Sequence, residues 1–174
     1  VQIGPADGQP STRHLCTAAV DASGPGDVIV IANGGRTDVA AWGGILSLAA
    51  SVRRIEGVII DGACRDLDEI RALELAVYAR GAVPTTARGR IVEKSWSQPV
   101  NIAGVAVSPG DLVIADASGV VFIPADRAAQ VIEAAERIVE REQRMADAIR
   151  GGASVAEVMG KRYENMLLNG PDSR

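Results

Sequence analysis

Apolar residues fall into short runs along the chain, and the character of those runs changes at about residue 85. Val28-Ile29-Val30-Ile31 and Val58-Ile59-Ile60 are unbroken apolar stretches bounded by Gly, Pro or Asp, the pattern of strands buried on both faces. Pro25-Gly26-Asp27 reads as the turn feeding the first, and Asp61-Gly62 as the turn ending the second. Between them, residues 33–42 read as a Gly-rich loop, and Ile45-Leu46-Ser47-Leu48-Ala49-Ala50 as a buried helix reaching about Arg54. A short helix over 14–22, a helix over 67–74 and a short strand near 76–79 complete this half. The β-α-β-α-β order implies parallel strands joined by crossovers.

The second half reads as short strands at 90–93, 100–101, 105–107, 112–115 and 120–123, split by Gly, Pro and Asp. Pro109-Gly110-Asp111-Leu112-Val113-Ile114 reuses the turn-plus-strand device of Pro25-Gly26-Asp27. A long helix then starts at Pro124-Ala125-Asp126, with Asp126 as its N-cap, and runs to about Arg150. Apolar residues at 128, 131, 132, 135, 138, 139, 145 and 149 lie on one stripe of it. Gly151-Gly152 ends the helix, and Ser154 with Glu157 forms a capping box for a last helix to about Leu168. Residues 1–14 are polar without periodicity, and 169–174 read as disordered. The reading is one α/β domain over 1–150, then a helical extension and tail over 151–174.

Composition narrows the function. The 174 residues are 47% apolar but hold only two Trp, two Tyr and one Phe, so Val, Ile, Leu and Ala must build the core. A net charge of −4 with scattered arginines argues against a nucleic-acid partner. Cys16 and Cys64 give no disulfide framework, and no run is long enough to span a bilayer, so no membrane partner and a reduced cytoplasmic compartment are expected. A lone histidine, His14, leaves no basis for a histidine metal site or a Ser-His-Asp triad.

The chemistry concentrates where the strand at 58–60 meets the helix at 67–74. Ligands of open α/β sheets bind beyond the carboxyl ends of strands, and there Arg65 stands beside Asp66. Asp66 and Glu69 are three apart, so both face one side of a helix start. Two carboxylates so placed suit a hydrated Mg²⁺ or Mn²⁺, and they equally suit the positive end of a helix dipole. Arg65 suits a bidentate clamp on a carboxylate or keto oxygen, or a surface ion pair. Gly43, Gly44, Ile45 and Leu46 offer backbone N–H groups at a helix N-terminus, a seat for a small carboxylate. That loop lacks both the Lys-Ser/Thr ending of a P-loop and the G-x-G-x-x-G fingerprint of a dinucleotide site. Cys64 reads as an inert thiol and Asp116 and Asp126 as turn and cap, while Lys94 is a Schiff-base candidate that nothing nearby in the sequence supports.

These residues also carry a family resemblance. Gly26–Val30, Trp42–Leu46, Gly57–Asp66 and Pro109–Val121 resemble the RraA-like proteins, which include class II pyruvate aldolases cleaving 4-hydroxy-4-methyl-2-oxoglutarate and 4-carboxy-4-hydroxy-2-oxoadipate. The similarity covers roughly residues 15–150. Lyase members of the family resemble one of two patterns, and this chain fits the second: Gly44, twenty residues, Arg65-Asp66, two residues, Glu69. With no acid at 44, Glu69 takes over as the second carboxylate near the metal.

The resemblance implies an RraA-like α/β/β/α sandwich, similar to the swivelling phosphohistidine domain, with a long C-terminal helix. It implies a homotrimer or homohexamer with sites between subunits, and in some members an acid from the neighbouring subunit that no residue here is assigned to. It also implies a segment before Val1, so the sequence is expected to be a fragment. The expected activity is a divalent-metal-dependent carbon–carbon lyase acting on a small 2-oxo acid. Arg65, Asp66 and Glu69 are its catalytic residues, Asp66 and Glu69 its Mg²⁺ or Mn²⁺ ligands, and Gly43, Gly44, Ile45, Leu46 and Arg65 its substrate contacts. The alternatives are a regulator of ribonuclease E and a non-catalytic protein-binding scaffold. A demethylmenaquinone methyltransferase is not supported, because no Gly-rich S-adenosylmethionine loop follows a first strand.

Overall fold

A computed structural model describes residues 1–6, 8 and 13–160. The chain divides into two compact units, Val1–Phe122 and Ile123–Arg174. The first holds strands β1 (Gln2–Pro5), β2 (Val28–Trp42), β3 (Gly57–Cys64), β4 (Ala76–Ala82) and β5 (Ile91–Ser95), with helices α1 (Thr17–Ala22), α2 (Gly44–Val52) and α3 (Leu67–Ala72). They form one five-stranded sheet in the order β4-β3-β2-β1-β5. β1 to β4 run parallel and β5 runs antiparallel to β1. The alternating strands and helices of the first half therefore do give a parallel sheet.

Both faces of that sheet are covered, which is why its strands read as continuous apolar runs. Side chains alternate along β2. Ile29 and Ile31 pack in one core with Val58 and Ile60 of β3 and with Val20, Leu46, Ala50 and Ile70 of the three helices. Val30 and Ala32 face the other way, onto Val100, Ile102 and Val107 of a hairpin built from β6 (Val100–Ile102) and β7 (Val105–Val107). The layers are helices, sheet and hairpin. A second hairpin follows, β8 (Leu112–Asp116) with β9 (Gly119–Ile123).

Several expectations change. β3 does not end at Asp61-Gly62; it continues, buried throughout, to Cys64. Asp61 tolerates this because its carboxylate accepts hydrogen bonds from Arg80 Nε of β4 and from the backbone of Ala103 in the β6–β7 turn. Gly62 is there for close approach: a Cβ would stand 2.9 Å from Arg36 O and 2.9 Å from Asn33 Nδ2. Residues 33–42 are not a loop but part of β2, which stays paired to β3 through register shifts after Ala32, Arg36 and Ala40. α2 is not buried all round either. Leu46, Ser47 and Ala50 are buried, while Ile45, Leu48 and Val52 are 79%, 49% and 75% exposed. The apparently aperiodic N-terminal stretch also contributes β1, pinned between β2 and β5 with Ile3 buried.

The second unit holds a 3₁₀ turn (Ala125–Arg127), α4 (Ala128–Arg150) and α5 (Val155–Val158). Asp126 lies inside the turn and Arg127 takes the cap position of α4, so Asp126 is not the N-cap. α4 ends at Gly151 as expected, and α5 carries the Ser154–Glu157 capping box in full. The expected continuation to Leu168 and the disordered tail lie outside the described residues. No described helix is long and apolar enough to cross a membrane.

Candidate active site

The parallel pairing of β2 and β3 delivers their carboxyl ends side by side. Trp42 pairs with Cys64, and the N–H of Arg65 donates to Trp42 O at 3.0 Å. Each strand leads directly into a helix, β2 through Gly43 into α2 and β3 through Arg65-Asp66 into α3. Two helix starts thus meet at one sheet edge. Segment 83–85 borders the same edge, with Val83 N donating to Cys64 O and Ala40 N to Thr85 O.

Side chains at either glycine would collide with the charged groups of the site. A Cβ on Gly43 would lie 2.7 Å from Asp66 Oδ2 and 3.0 Å from Arg65 Nε. A Cβ on Gly44 would overlap Glu69 Oε2 and lie 2.7 Å from Glu69 Cδ. The Glu69 carboxylate occupies the volume that a side chain at 44 would fill. Asp66 Oδ2 accepts the Gly44 N–H at 2.9 Å, and Arg65 Nε lies 3.4 Å from that oxygen. Both carboxylates therefore flank Gly44, and Arg65 adjoins one of them.

Asp66 holds this place through an unusual backbone. It is the N-cap of α3 at φ 60°, ψ 43°, a left-handed conformation that Asp adopts more readily than most residues. Its side chain makes no capping bond in α3 and reaches α2 instead. The side chains of Arg65 and Asp66 are 42% and 31% exposed, so both are open to a ligand.

Sequence reasoning missed the brace beneath the site. Trp42, 2% exposed, donates from Nε1 to Ser47 Oγ at 2.7 Å, and Ser47 Oγ donates to Gly43 O at 3.0 Å. Ser47 also donates its N–H to Gly43 O, which closes the first turn of α2. The available signal was that Ser47 is the one polar residue within Ile45–Ala50. Of the expected substrate contacts, Gly43, Gly44 and Arg65 come together. The amide of Gly44 is engaged by Asp66, while those of Ile45 and Leu46 precede the first intrahelical bond of α2. The Leu46 side chain is buried in the core and that of Ile45 is exposed.

The remaining candidates stand apart. Cys64 is buried with its Sγ 3.6 Å from Gly81 O, and burial pushes its thiol up. Burial, with Glu93 nearby, pushes the Cys16 thiol up to about 12, so neither cysteine has the lowered pKa of a nucleophile. Asp116 is a turn residue, its Oδ1 accepting from Ser118 N and Gly119 N. Among the described residues no group of three or more His, Cys, Asp or Glu side chains could hold a metal ion. Asp66 and Glu69 are a two-carboxylate set, which fits a hydrated Mg²⁺ or Mn²⁺ that keeps most of its waters.

The family model described as RraA-like, Aldolase/RraA, matches residues 2–122. The chain belongs to the RraA-like family. A Deinococcus radiodurans protein whose name gives 4-hydroxy-4-methyl-2-oxoglutarate aldolase as a provisional assignment is 37% identical over 112 residues, covering 64% of this chain and 69% of its own length. A solved structure of an uncharacterized Pseudomonas syringae protein superposes with a TM-score of 0.82 at 31% identity, over 92% of this chain and 74% of that one. Streptomyces coelicolor RraAS2, described as an unusual member of the RNase ES inhibitor RraA protein family, gives a TM-score of 0.75 at 28% identity, over 83% of this chain and 74% of that one. This RraA-like chain spans only 60% and 26% of the length of two other relatives, from Methanocaldococcus jannaschii and Legionella pneumophila.

Within the RraA-like fold, Gly44 and Glu69 form a testable steric pair. If Glu69 helps to hold a divalent ion, Gly44→Ala should displace its carboxylate and weaken that binding about as much as Glu69→Ala does. The double variant Gly44→Ala/Glu69→Ala should then bind the ion no worse than either single one, because contacting residues are not additive. Mn²⁺ titration of the three variants checks this. Fully additive losses would show that the two positions do not share one volume.

Proposed function

We propose that this chain is a divalent-metal-dependent carbon–carbon lyase acting on small 2-oxo acids, with pyruvate as a product. The observation that carries the reading is the convergence of Arg65, Asp66 and Glu69 on Gly43-Gly44 at the start of α2. The 37%-identical relative with the aldolase name supports it.

Asp66 and Glu69 would hold Mg²⁺ or Mn²⁺. When bound, the ion supplies Lewis-acid polarisation of the substrate's keto oxygen. Arg65 places a fixed positive charge beside Asp66, where negative charge develops as the bond breaks. Gly43 and Gly44 carry no side chains, so a ligand can approach the α2 backbone closely. The N–H groups of Gly44, Ile45 and Leu46 are the donors for the substrate's C1 carboxylate. A 4-hydroxy-2-oxo acid cleaved between C3 and C4 gives the enolate of pyruvate and a carbonyl fragment; the C4 hydroxyl gives its proton to water, and the enolate carbon takes one back from water to give pyruvate. Oxaloacetate losing its C4 carboxylate as CO₂ gives the same enolate, so one site serves both reactions.

Assembly belongs to the same reading. Ile45, Leu48 and Val52 form an exposed i, i+3, i+7 stripe on α2, starting at the site itself. A neighbouring subunit of a homotrimer or homohexamer would cover it. Cytoplasmic location is part of the proposal as well.

The test is pyruvate release from 4-hydroxy-4-methyl-2-oxoglutarate and from oxaloacetate, with Mg²⁺ and with EDTA. Mg²⁺ is expected to support release from at least one substrate, and EDTA to remove nearly all of it. Release untouched by EDTA would sink the metal-dependent mechanism. The likeness to S. coelicolor RraAS2 favours a second reading, a regulator that binds a ribonuclease and does no chemistry. No release from either substrate by metal-loaded protein would move the conclusion there.

A further inference from the structure

Two of the donors that would seat a substrate carboxylate, the Gly44 N–H and Arg65, are already partnered within the chain. Gly44 gives its N–H to Asp66 Oδ2, and Arg65 Nε lies 3.4 Å from the same oxygen. α2 supplies no acid of its own: Gly43 caps it without a side chain, and its first turn holds no Asp or Glu. The positive end of the helix favours an anion there. Asp66 fills that role from the neighbouring element, at the expense of capping its own helix, and it does so from a left-handed backbone. Its carboxylate stands where the ligand's carboxylate would stand.

We infer that Asp66 is an internal competitor for the carboxylate seat, so that a divalent cation engaging Asp66 and a carboxylate ligand on Gly44 and Arg65 bind with positive coupling. This rests on the reading of the site as a 2-oxo acid seat. Uncompensated, Asp66 blocks the Gly44 N–H, weakens Arg65 as a cation and repels an incoming anion. Pairing with a cation neutralises Asp66 and releases both donors. By linkage, the ligand then raises cation affinity by the same factor. The two glycines make the competition direct, because no side chain at 43 or 44 stands between Asp66 and the seat.

The experiment measures oxalate binding calorimetrically to the full chain after divalent ions are stripped on a chelating resin. Wild-type protein is expected to bind oxalate weakly, and Asp66→Ala at least roughly tenfold more tightly, within the usual range of coupling between sites. A residue that helped to hold the ligand would change affinity in the opposite direction. Glu69→Ala is the control for general charge removal: it deletes a carboxylate beside Gly44 but no partner of the Gly44 N–H, so its gain should be much smaller. Should Asp66→Ala fail to fold, Asp66→Asn should give a smaller gain of the same sign. Unchanged or weaker binding in the Asp66 variant, or an equal gain in Glu69→Ala, overturns the inference. Pyruvate release by metal-loaded wild-type protein is scored separately, so a gated seat with no lyase activity is distinguishable from a lyase with no gate.

Discussion

Arg65→Ala is expected to lower kcat/KM for pyruvate release by about 10³-fold, the size of effect seen when a donor aimed at a developing oxyanion is lost. The guanidinium is the one cationic group beside Asp66 among the described contacts of the site, and its side chain is 42% exposed, open to substrate. The fold should tolerate the change. The Arg65–Asp66 pair is long at 3.4 Å and partly exposed, and such pairs contribute at most about 1 kcal/mol. Thermal melting should therefore stay near wild type while turnover collapses. Asp66→Ala should abolish turnover as well, by removing a proposed ion ligand. If Arg65→Ala keeps turnover within a few-fold of wild type with saturating Mg²⁺, Arg65 is not the electrostatic group and the assignment falls.

Trp42→Ala should give the largest loss of stability, about 3–5 kcal/mol, by leaving a cavity under the site. Trp42 is 2% exposed, packs in the core shared by β2, β3 and the three helices, and is among the largest fully buried side chains. The change also strips Ser47 Oγ of its donor and loosens the bond from Ser47 Oγ to Gly43 O. Trp42→Phe separates the two effects. It keeps most of the apolar volume and deletes only the indole N–H, for a loss nearer 1 kcal/mol. Urea unfolding of both variants reads the difference. A Trp42→Ala loss below that of Trp42→Phe would show that the cavity collapses and that the brace matters more than the bulk.

What could be read from the sequence followed from local pattern. The apolar runs at 28–31 and 58–60 marked the central parallel strands, and spacing marked α2, α3, the long α4 and the capping box of α5. The candidate site was readable for the same reason. Arg65-Asp66 follows the strand read at 58–60 and Gly43-Gly44 opens the helix read from Ile45; that the two meet at one edge was decided by β2 running on to Trp42 beside β3. The spacing of Asp66 and Glu69 placed both carboxylates together, and both flank Gly44.

Tertiary structure decided the rest, because the deciding partners are far away in sequence. Asp61-Gly62 looks like a turn until Arg80, 19 residues on, and Ala103, 42 residues on, satisfy the carboxylate and let the strand continue. Gly34 and Gly35, at φ 61° and 72°, look like a loop until pairing with β3 absorbs them as irregularities within β2. Ile45 and Leu48 look like core until α2 docks by its other face. The sequence by itself determined where the central strands and the helices lie and which residues carry charge close to them, since periodicity and turn chemistry act over a few residues. Only the folded chain decided that Glu69 fills the space above Gly44 and that Asp66 takes the Gly44 N–H, since both depend on how two helix starts approach across a sheet.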